Sequence, residues 1–174
     1  GEANLTPECQ RLMEQVSEGM LALHYDYDYI DDTQLPAAEV AEGRLRFPNS
    51  EETYPLVILP GVRVMSVAAA TKLRDFYLAG GKIIALGEIP SEADERHGDE
   101  TLKQLMAEIF GSGGRGENRR ESEAGGLALI GRPKRVQEWL ASHLPDVLAP
   151  DCIITTTAGK NCEAVLCCHR SGAH

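Results

Sequence analysis

Three groups of side chains in this sequence have the chemistry for a site. The first is a carboxylate. Glu88 follows the apolar run Lys82-Ile83-Ile84-Ala85-Leu86 and Gly87, and the C-terminal end of a parallel strand is where α/β sheets bind ligands. Cleaving a glycosidic bond would take a second carboxylate facing the same bond. Glu92, Asp94 and Glu95 follow in the next loop, but nothing in the sequence fixes one opposite Glu88. A loop or helix-capping role is therefore the expectation for Glu88, and no catalytic residue is assigned. His97, between Asp94 and Asp99 in the same polar stretch, reads as a solvated imidazole.

The second group is thiol and imidazole. Of the five cysteines, Cys162, Cys167 and Cys168 stand close to His169, which makes these four residues the candidate metal ligands. They lack the Cys-x-x-Cys spacing of a structural zinc site. The odd number, with Cys9 and Cys152 far apart, does not form a disulfide framework either. Reduced thiols packed in apolar strands are the simpler reading, and they fit a cytoplasmic protein.

The third group is Asp26, Asp28, Asp31 and Asp32, a conceivable cation site. In His24-Tyr25-Asp26-Tyr27-Asp28-Tyr29-Ile30 the aromatic and acidic residues alternate with period two, as in a strand near a sheet edge. That alternation puts Asp26 and Asp28 on one face and leaves Asp31 and Asp32 beyond the strand end, so a solvated face running into a cap or turn is expected. The stretch Gly111 to Gly126, GSGGRGENRRESEAGG, looks superficially like a phosphate loop. No Gly-Lys-Ser/Thr follows it, and no apolar residue larger than alanine occurs in it. It reads as a mobile surface loop. No motif in the chain requires a cofactor.

The elements that would position these groups centre on YPLVILPGVRVMSVAAATKLRDFYLAGGKIIALGEIP, from Tyr54 to Pro90. Leu56 to Leu59 is a short apolar run, predicted as a strand buried on both faces. Ser66 is placed to cap a helix whose Leu73, Phe76 and Tyr77 share a face. Gly80-Gly81 stops that helix, and Lys82 to Leu86 is the next strand. Strand, helix and strand in this order predict a right-handed crossover between parallel strands. Upstream, Thr6-Pro7-Glu8 reads as a helix start, with Leu12, Met13, Val16 and Met20 on its apolar face. Val40 to Phe47 alternates around Glu-Gly and predicts a hairpin.

Downstream, Asp99 is placed to cap a helix bearing Leu102, Leu105, Met106 and Ile109, closed by Gly111. Leu127 to Ile130 is a strand. Pro133 begins a helix carrying Val136, Trp139, Leu140 and Leu144, which Pro145 ends. Trp139, the single tryptophan, is spaced as a core anchor. Cys152 to Thr155 and Ala164 to Cys168 predict two more strands. Together these elements predict a three-layer, doubly wound α/β fold with a mostly parallel sheet, of the flavodoxin-like kind. Such folds begin with a buried strand ahead of the first helix, and Gly1 to Leu5 is too short and polar to supply it.

The totals narrow the partners. The chain has 174 residues, 43% hydrophobic, with a formal charge of −10. It can bury a real core, while its acidity argues against nucleic-acid and anionic-membrane partners. No apolar run is long enough for a bilayer, and no signal-peptide pattern is present.

DYDYIDD, then V-x-E-G-x-L, then the tract from Tyr54 to Pro90 resemble the class I glutamine amidotransferase-like domain of large bacterial glycoside hydrolases. The similarity is greatest to the α-L-rhamnosidase-like group, and it extends more distantly to the β-galactosidase trimerisation domain. It runs from about Asp26 to Glu92 and is thin across the Gly-rich stretch. On this basis residues 1–160 form the amidotransferase-like domain, and 161–174 its last strand or the start of a following β-rich domain.

The resemblance implies a scaffold. In those enzymes a separate barrel carries the sugar-cleaving carboxylates, and this domain packs beside it and, in the galactosidase relatives, builds oligomer contacts. The implied partners are thus the barrel and β-rich domains of the same polypeptide, or further copies of the chain. A working amidotransferase needs a cysteine at the elbow after the corresponding strand, with backbone N–H groups for the oxyanion and a histidine base. The matching place reads Gly87-Glu88-Ile89-Pro90. Three functional expectations follow in order of preference: a non-catalytic accessory and interface domain, a free-standing small hydrolase or amidotransferase, and a flavodoxin-type nucleotide-binding module. The first predicts an exposed apolar patch or an unpaired strand edge at His24–Ile30 or at Val165–Cys168.

Overall fold

A computed structural model describes residues 6–48, 50–112 and 116–150. The strands expected at Cys152–Thr155 and Ala164–Cys168, and the candidate ligands Cys162, Cys167, Cys168 and His169, lie outside them. Helix α1 (Pro7–Ala22) begins as its sequence requires: the Thr6 hydroxyl accepts from the Cys9 amide at 3.1 Å, Pro7 occupies the first turn, and Glu8 sits at the positive end of the dipole. Cys9, Leu12, Val16 and Met20 are its buried stripe.

The segment from His24 to Ile30, expected as an edge strand, has no ladder partner among the described residues. Its alternation serves another purpose. Tyr25 is buried and its hydroxyl donates to the Leu148 carbonyl at 2.6 Å, while Tyr27 packs on the same helical layer. Tyr25 and Tyr27 dock onto helices, and the intervening Asp26 and Asp28 are exposed.

The predicted hairpin is present: β1 (Glu39–Ala41) pairs antiparallel with β2 (Arg44–Arg46), and β3 (Thr53–Tyr54) adds to β2. Glu42 and Gly43 both have positive φ, 50° and 68°, the mirror-image two-residue turn whose twist suits a hairpin. The chain then runs through β4 (Leu56–Pro60), β5 (Val64–Met65), α2 (Val67–Leu78), β6 (Lys82–Leu86), β7 (Glu92–Ala93), α3 (Asp99–Phe110), β8 (Asn118–Glu121), β9 (Leu127–Gly131) and α4 (Val136–Val147).

The main sheet has the order β4-β6-β9-β8, with β4, β6 and β9 parallel and β8 antiparallel at the edge. A small parallel pair, β5 with β7, stands beside it. Period-two alternation divides the sheet's side chains between two cores. Val57, Leu59, Ile83, Ala85, Ala128 and Ile130 face α2 and α3, among Leu73, Phe76, Leu102 and Ile109. Ile84, Leu86, Leu127 and Leu129 face α1 and α4, among Leu12, Val16, Leu140 and Leu144. The architecture is therefore α/β, with helices on both faces of a mostly parallel open sheet. Each isoleucine of β6, wholly buried, contributes roughly 1.5–3 kcal/mol by leaving water. Among the described residues no helix is long and apolar enough to cross a membrane.

Five local expectations need correction. The stretch from Gly111 to Gly126 is not all loop, because Asn118–Glu121 forms β8. A strand with no apolar residue is stable there for two reasons. A turn closed by Ser122 N–H to the Gly126 carbonyl sets its register, and its polar side chains finish α3. Asn118 donates to the Phe110 carbonyl at 2.7 Å and Arg120 to that of Ala107 at 2.9 Å, satisfying carbonyls the helix leaves open. Asp99 does not cap α3. Gly98 is the cap residue, and the Asp99 carboxylate accepts from the Ala93 amide at 2.7 Å, tying the helix to β7. Helix α4 starts at Val136, after an extended Arg135, and not at Pro133. It also continues past Pro145, since Leu144 and Val147 remain buried and the Leu148 amide still reaches the Leu144 carbonyl at 2.8 Å. Last, β4 is less enclosed than predicted: Leu56 and Ile58 are only partly buried.

Candidate functional site

The C-terminal ends of β4, β6 and β9 meet the start of α1. Gly61 closes β4 with its amide on the Leu86 carbonyl at 2.7 Å, and Gly87 closes β6 with its amide on the Gly131 carbonyl at 2.9 Å. Gly87 has φ +83°, and a Cβ there would lie 3.1 Å from Leu12 Cδ1 and 3.8 Å from Glu8 Oε1. Only glycine lets α1 settle this closely onto the turn without strain. Beside it lies a cleft of about 250 Å³ lined by Glu8, Arg11, Leu12, Gly87, Glu88, Arg132 and Pro133. Arg132 also donates to the Gly87 carbonyl at 3.3 Å.

Glu88 therefore stands at the ligand-binding edge of the sheet, as its sequence position predicts, and it is exposed. The neighbour brought into its cleft is Glu8, not Glu92, Asp94 or Glu95. Sequence reasoning missed Glu8, Arg11 and Arg132. Glu8 carried a signal only as the first-turn acid of a helix, and its meeting with Glu88 depends on how α1 crosses the sheet. Among the described residues the cleft lining contains no cysteine, serine, threonine, histidine or lysine, and so no nucleophile of the acyl-transfer kind. Among the described residues the lining carries two arginines and two glutamates, a balanced formal charge.

The acidic loop after β6 is occupied with folding. Both carboxylate oxygens of Glu95 accept from the Val67 amide, at 3.0 and 3.1 Å. The Ser66 hydroxyl takes the Ala69 amide at 3.1 Å, as predicted, and Asp32 takes the Ser66 amide at 3.0 Å. The N-terminus of α2 is thus closed by protein groups, where a flavodoxin-like site would leave amides for an anion. The Val67 amide holds Glu95 below the usual carboxylate range, and a hydrogen bond to Glu95 pushes Asp94 above it. Opposed shifts mark acid–base pairs in enzymes, but both groups are solvent-exposed and Glu95 is committed to the helix. His97 is an exposed left-handed residue in this loop, with φ 67°.

The aspartates of the tyrosine-rich segment are separately employed. Asp28 accepts from the Tyr54 hydroxyl at 2.5 Å, and Asp31 takes the Thr33 and Gln34 amides at 2.9 and 3.2 Å in a local turn. The Thr33 hydrogen bond is the main reason Asp31 is held below its ordinary value. Among the described residues no group of three or more histidine, cysteine or acidic side chains is arranged to hold a metal. Cys9 is buried, and burial pushes its thiol up, away from the reactive thiolate. Trp139 lies over Gly131 and stacks on His143 at 4.1 Å, so it packs α4 onto β9.

No family model and no curated protein matches this sequence.

Proposed function

We propose that this chain is a non-catalytic accessory and interface domain, of the glutamine amidotransferase-like, flavodoxin-like kind, belonging to a multidomain glycoside hydrolase. The observation that carries this reading is the exposure of apolar groups near the end of the segment from His24 to Ile30. Tyr29 is 62% and Ile30 38% exposed beside Leu23 and Tyr27, which pack inward. Leu21 on the adjoining turn of α1 is 44% exposed. Apolar groups offered to solvent in one stretch are what a docking face between domains requires. The elbow supports the non-catalytic half of the reading, since Gly87-Glu88-Ile89-Pro90 holds no nucleophile and Glu88 is solvated. The nucleotide-binding alternative draws less support, given the balanced charge of the cleft and the carboxylate already closing α2.

A double variant, Tyr29→Ser with Ile30→Ser, tests the docking face. The chain is expected to bind an apolar fluorescent dye and to self-associate at high concentration by sedimentation. The variant should lose both while its urea midpoint changes little, because surface substitutions usually cost within about 0.5 kcal/mol. Equal dye binding and equal sedimentation in the two proteins would remove the face from the account.

A further inference from the structure

The exposed apolar groups on α1 and in the segment after it lie within a one-sided stretch of charge. From Leu12 to Gly43 there are eight carboxylates and no lysine or arginine, whereas the other 142 residues carry 19 acidic against 17 basic side chains. Most of the formal charge of −10 therefore belongs to this stretch. Folding does not neutralise it. Among the described residues Glu14, Glu18, Asp28 and Asp31 enter no ion pair. Glu18 accepts from the Gln137 side-chain amide at 3.0 Å, Asp28 from the Tyr54 hydroxyl at 2.5 Å, and Asp31 from the Thr33 and Gln34 amides, all neutral donors. All four carboxylate residues are exposed.

These carboxylates flank an aromatic anchor. Helical spacing puts Ser17 on one face with Glu14, three residues before it, and with Leu21, four residues after it. Glu18 stands three residues before Leu21 on the adjoining row. The Tyr29 hydroxyl is hydrogen-bonded to that of Ser17, and its ring meets Tyr27 edge-on with centroids 5.6 Å apart. Tyr29, 62% exposed, is thus held against the helix face that bears Leu21. Asp28 and Asp31 bracket Tyr29 and Ile30 in the chain. An aromatic ring already held in place loses little freedom on docking, and such rings are frequent anchors of interfaces. The charged border then selects the partner. Two copies meeting through this face would set carboxylate against carboxylate, so self-association is opposed until concentration or salt overcomes the repulsion. An anionic partner is opposed in the same way.

We infer that the face of Leu21, Tyr29 and Ile30 docks a cationic partner: a protein surface with an apolar recess for Tyr29 and Ile30, bordered by arginine or lysine. This rests on the reading of Tyr29 and Ile30 as a docking face and adds the charge of what binds there.

Amide shifts of the full chain, followed by NMR during titration with three peptides, test it. One peptide is a short amphipathic helix of leucine and arginine; in its twins glutamine or glutamate replaces every arginine. The arginine peptide should shift Leu21, Tyr29 and Ile30 and bind about tenfold tighter than the glutamine twin at low salt. That advantage should shrink at high salt, and the glutamate twin should not bind. Tyr29→Ser with Ile30→Ser should abolish binding at this face. Glu14→Gln with Glu18→Gln should weaken the arginine peptide several-fold and leave the glutamine twin unchanged. Equal binding of the arginine and glutamine peptides at Tyr29 would overturn the cationic partner and leave the docking face standing. Arginine-peptide binding that survives Tyr29→Ser with Ile30→Ser would also overturn it, as diffuse attraction to an acidic surface. If no peptide moves these residues the inference falls, and the dye and sedimentation comparison decides whether the docking face falls with it. Dimers at low salt that shift the same residues would overturn it in favour of a second copy.

Discussion

Gly87 closes β6 at the C-terminal edge of the main sheet, and its left-handed φ of +83° is a conformation that ordinary side chains resist. Gly87→Ala should cost about 1–2 kcal/mol in urea denaturation, because the methyl group meets Leu12 and cannot escape the strained backbone. A cost near zero would mean that the turn relaxes freely and that α1 is not seated on it. Tyr54 gives a second residue-scale test. Partial burial, with the hydrogen bond to Asp28 and the charges of Asp28 and Glu52, pushes its hydroxyl above the ordinary value. A raised folded value means that the neutral phenol stabilises the fold below the unfolded value of about 10 and that this stability is lost as pH rises through the folded value. Stability should therefore fall above pH 10 more steeply in the unaltered chain than in Tyr54→Phe, and alkaline absorbance titration should show one late tyrosine. At this scale the sequence was legible where the signal was local. Thr6 and Ser66 cap the helices they precede, and Gly80 ends α2. That Glu8 and Glu88 line one cleft was hidden because it brings α1 beside the turn after β6, far apart in the chain.

The elements that sequence pattern located well are those whose burial matches their periodicity. Strands β4, β6 and β9 and helices α1, α2 and α3 each present apolar residues at the spacing of their own structure. Two segments escaped this logic. From His24 to Ile30 the alternation is real, and among the described residues it turns Tyr25 and Tyr27 onto the helices. Strand β8 has no apolar alternation at all, because its pairing comes from the Ser122–Gly126 turn and from Asn118 and Arg120 reaching the end of α3. Replacing Arg120 by Ala should lower stability by roughly 1 kcal/mol through the freed carbonyls of Ala107 and Glu108, with exchange rising first in the last turn of α3. Ser66→Ala should cost a similar amount, about 1 kcal/mol, at the N-terminus of α2. An unchanged urea midpoint in both variants would show that water replaces these caps without loss.

Over the whole molecule, composition and element order were enough to anticipate an α/β sandwich with helices on both faces, since alternating strands and helices with apolar central strands permit few other layer arrangements. What pattern alone did not convey is that β8, a strand of wholly polar residues, joins the sheet beside β9, and that the tyrosine-rich segment leaves Tyr29 and Ile30 partly exposed. The exposed Tyr29 and Ile30 are what the proposed accessory role draws on. The direct test is to assay the full chain for glutamine hydrolysis and for release of an aryl group from aryl glycosides, beside Glu88→Gln. The account predicts no turnover above buffer in either protein, with far-UV spectra showing both folded. Turnover in the unaltered chain that disappears in Glu88→Gln would contradict it and make Glu88 the acid or base of a working site.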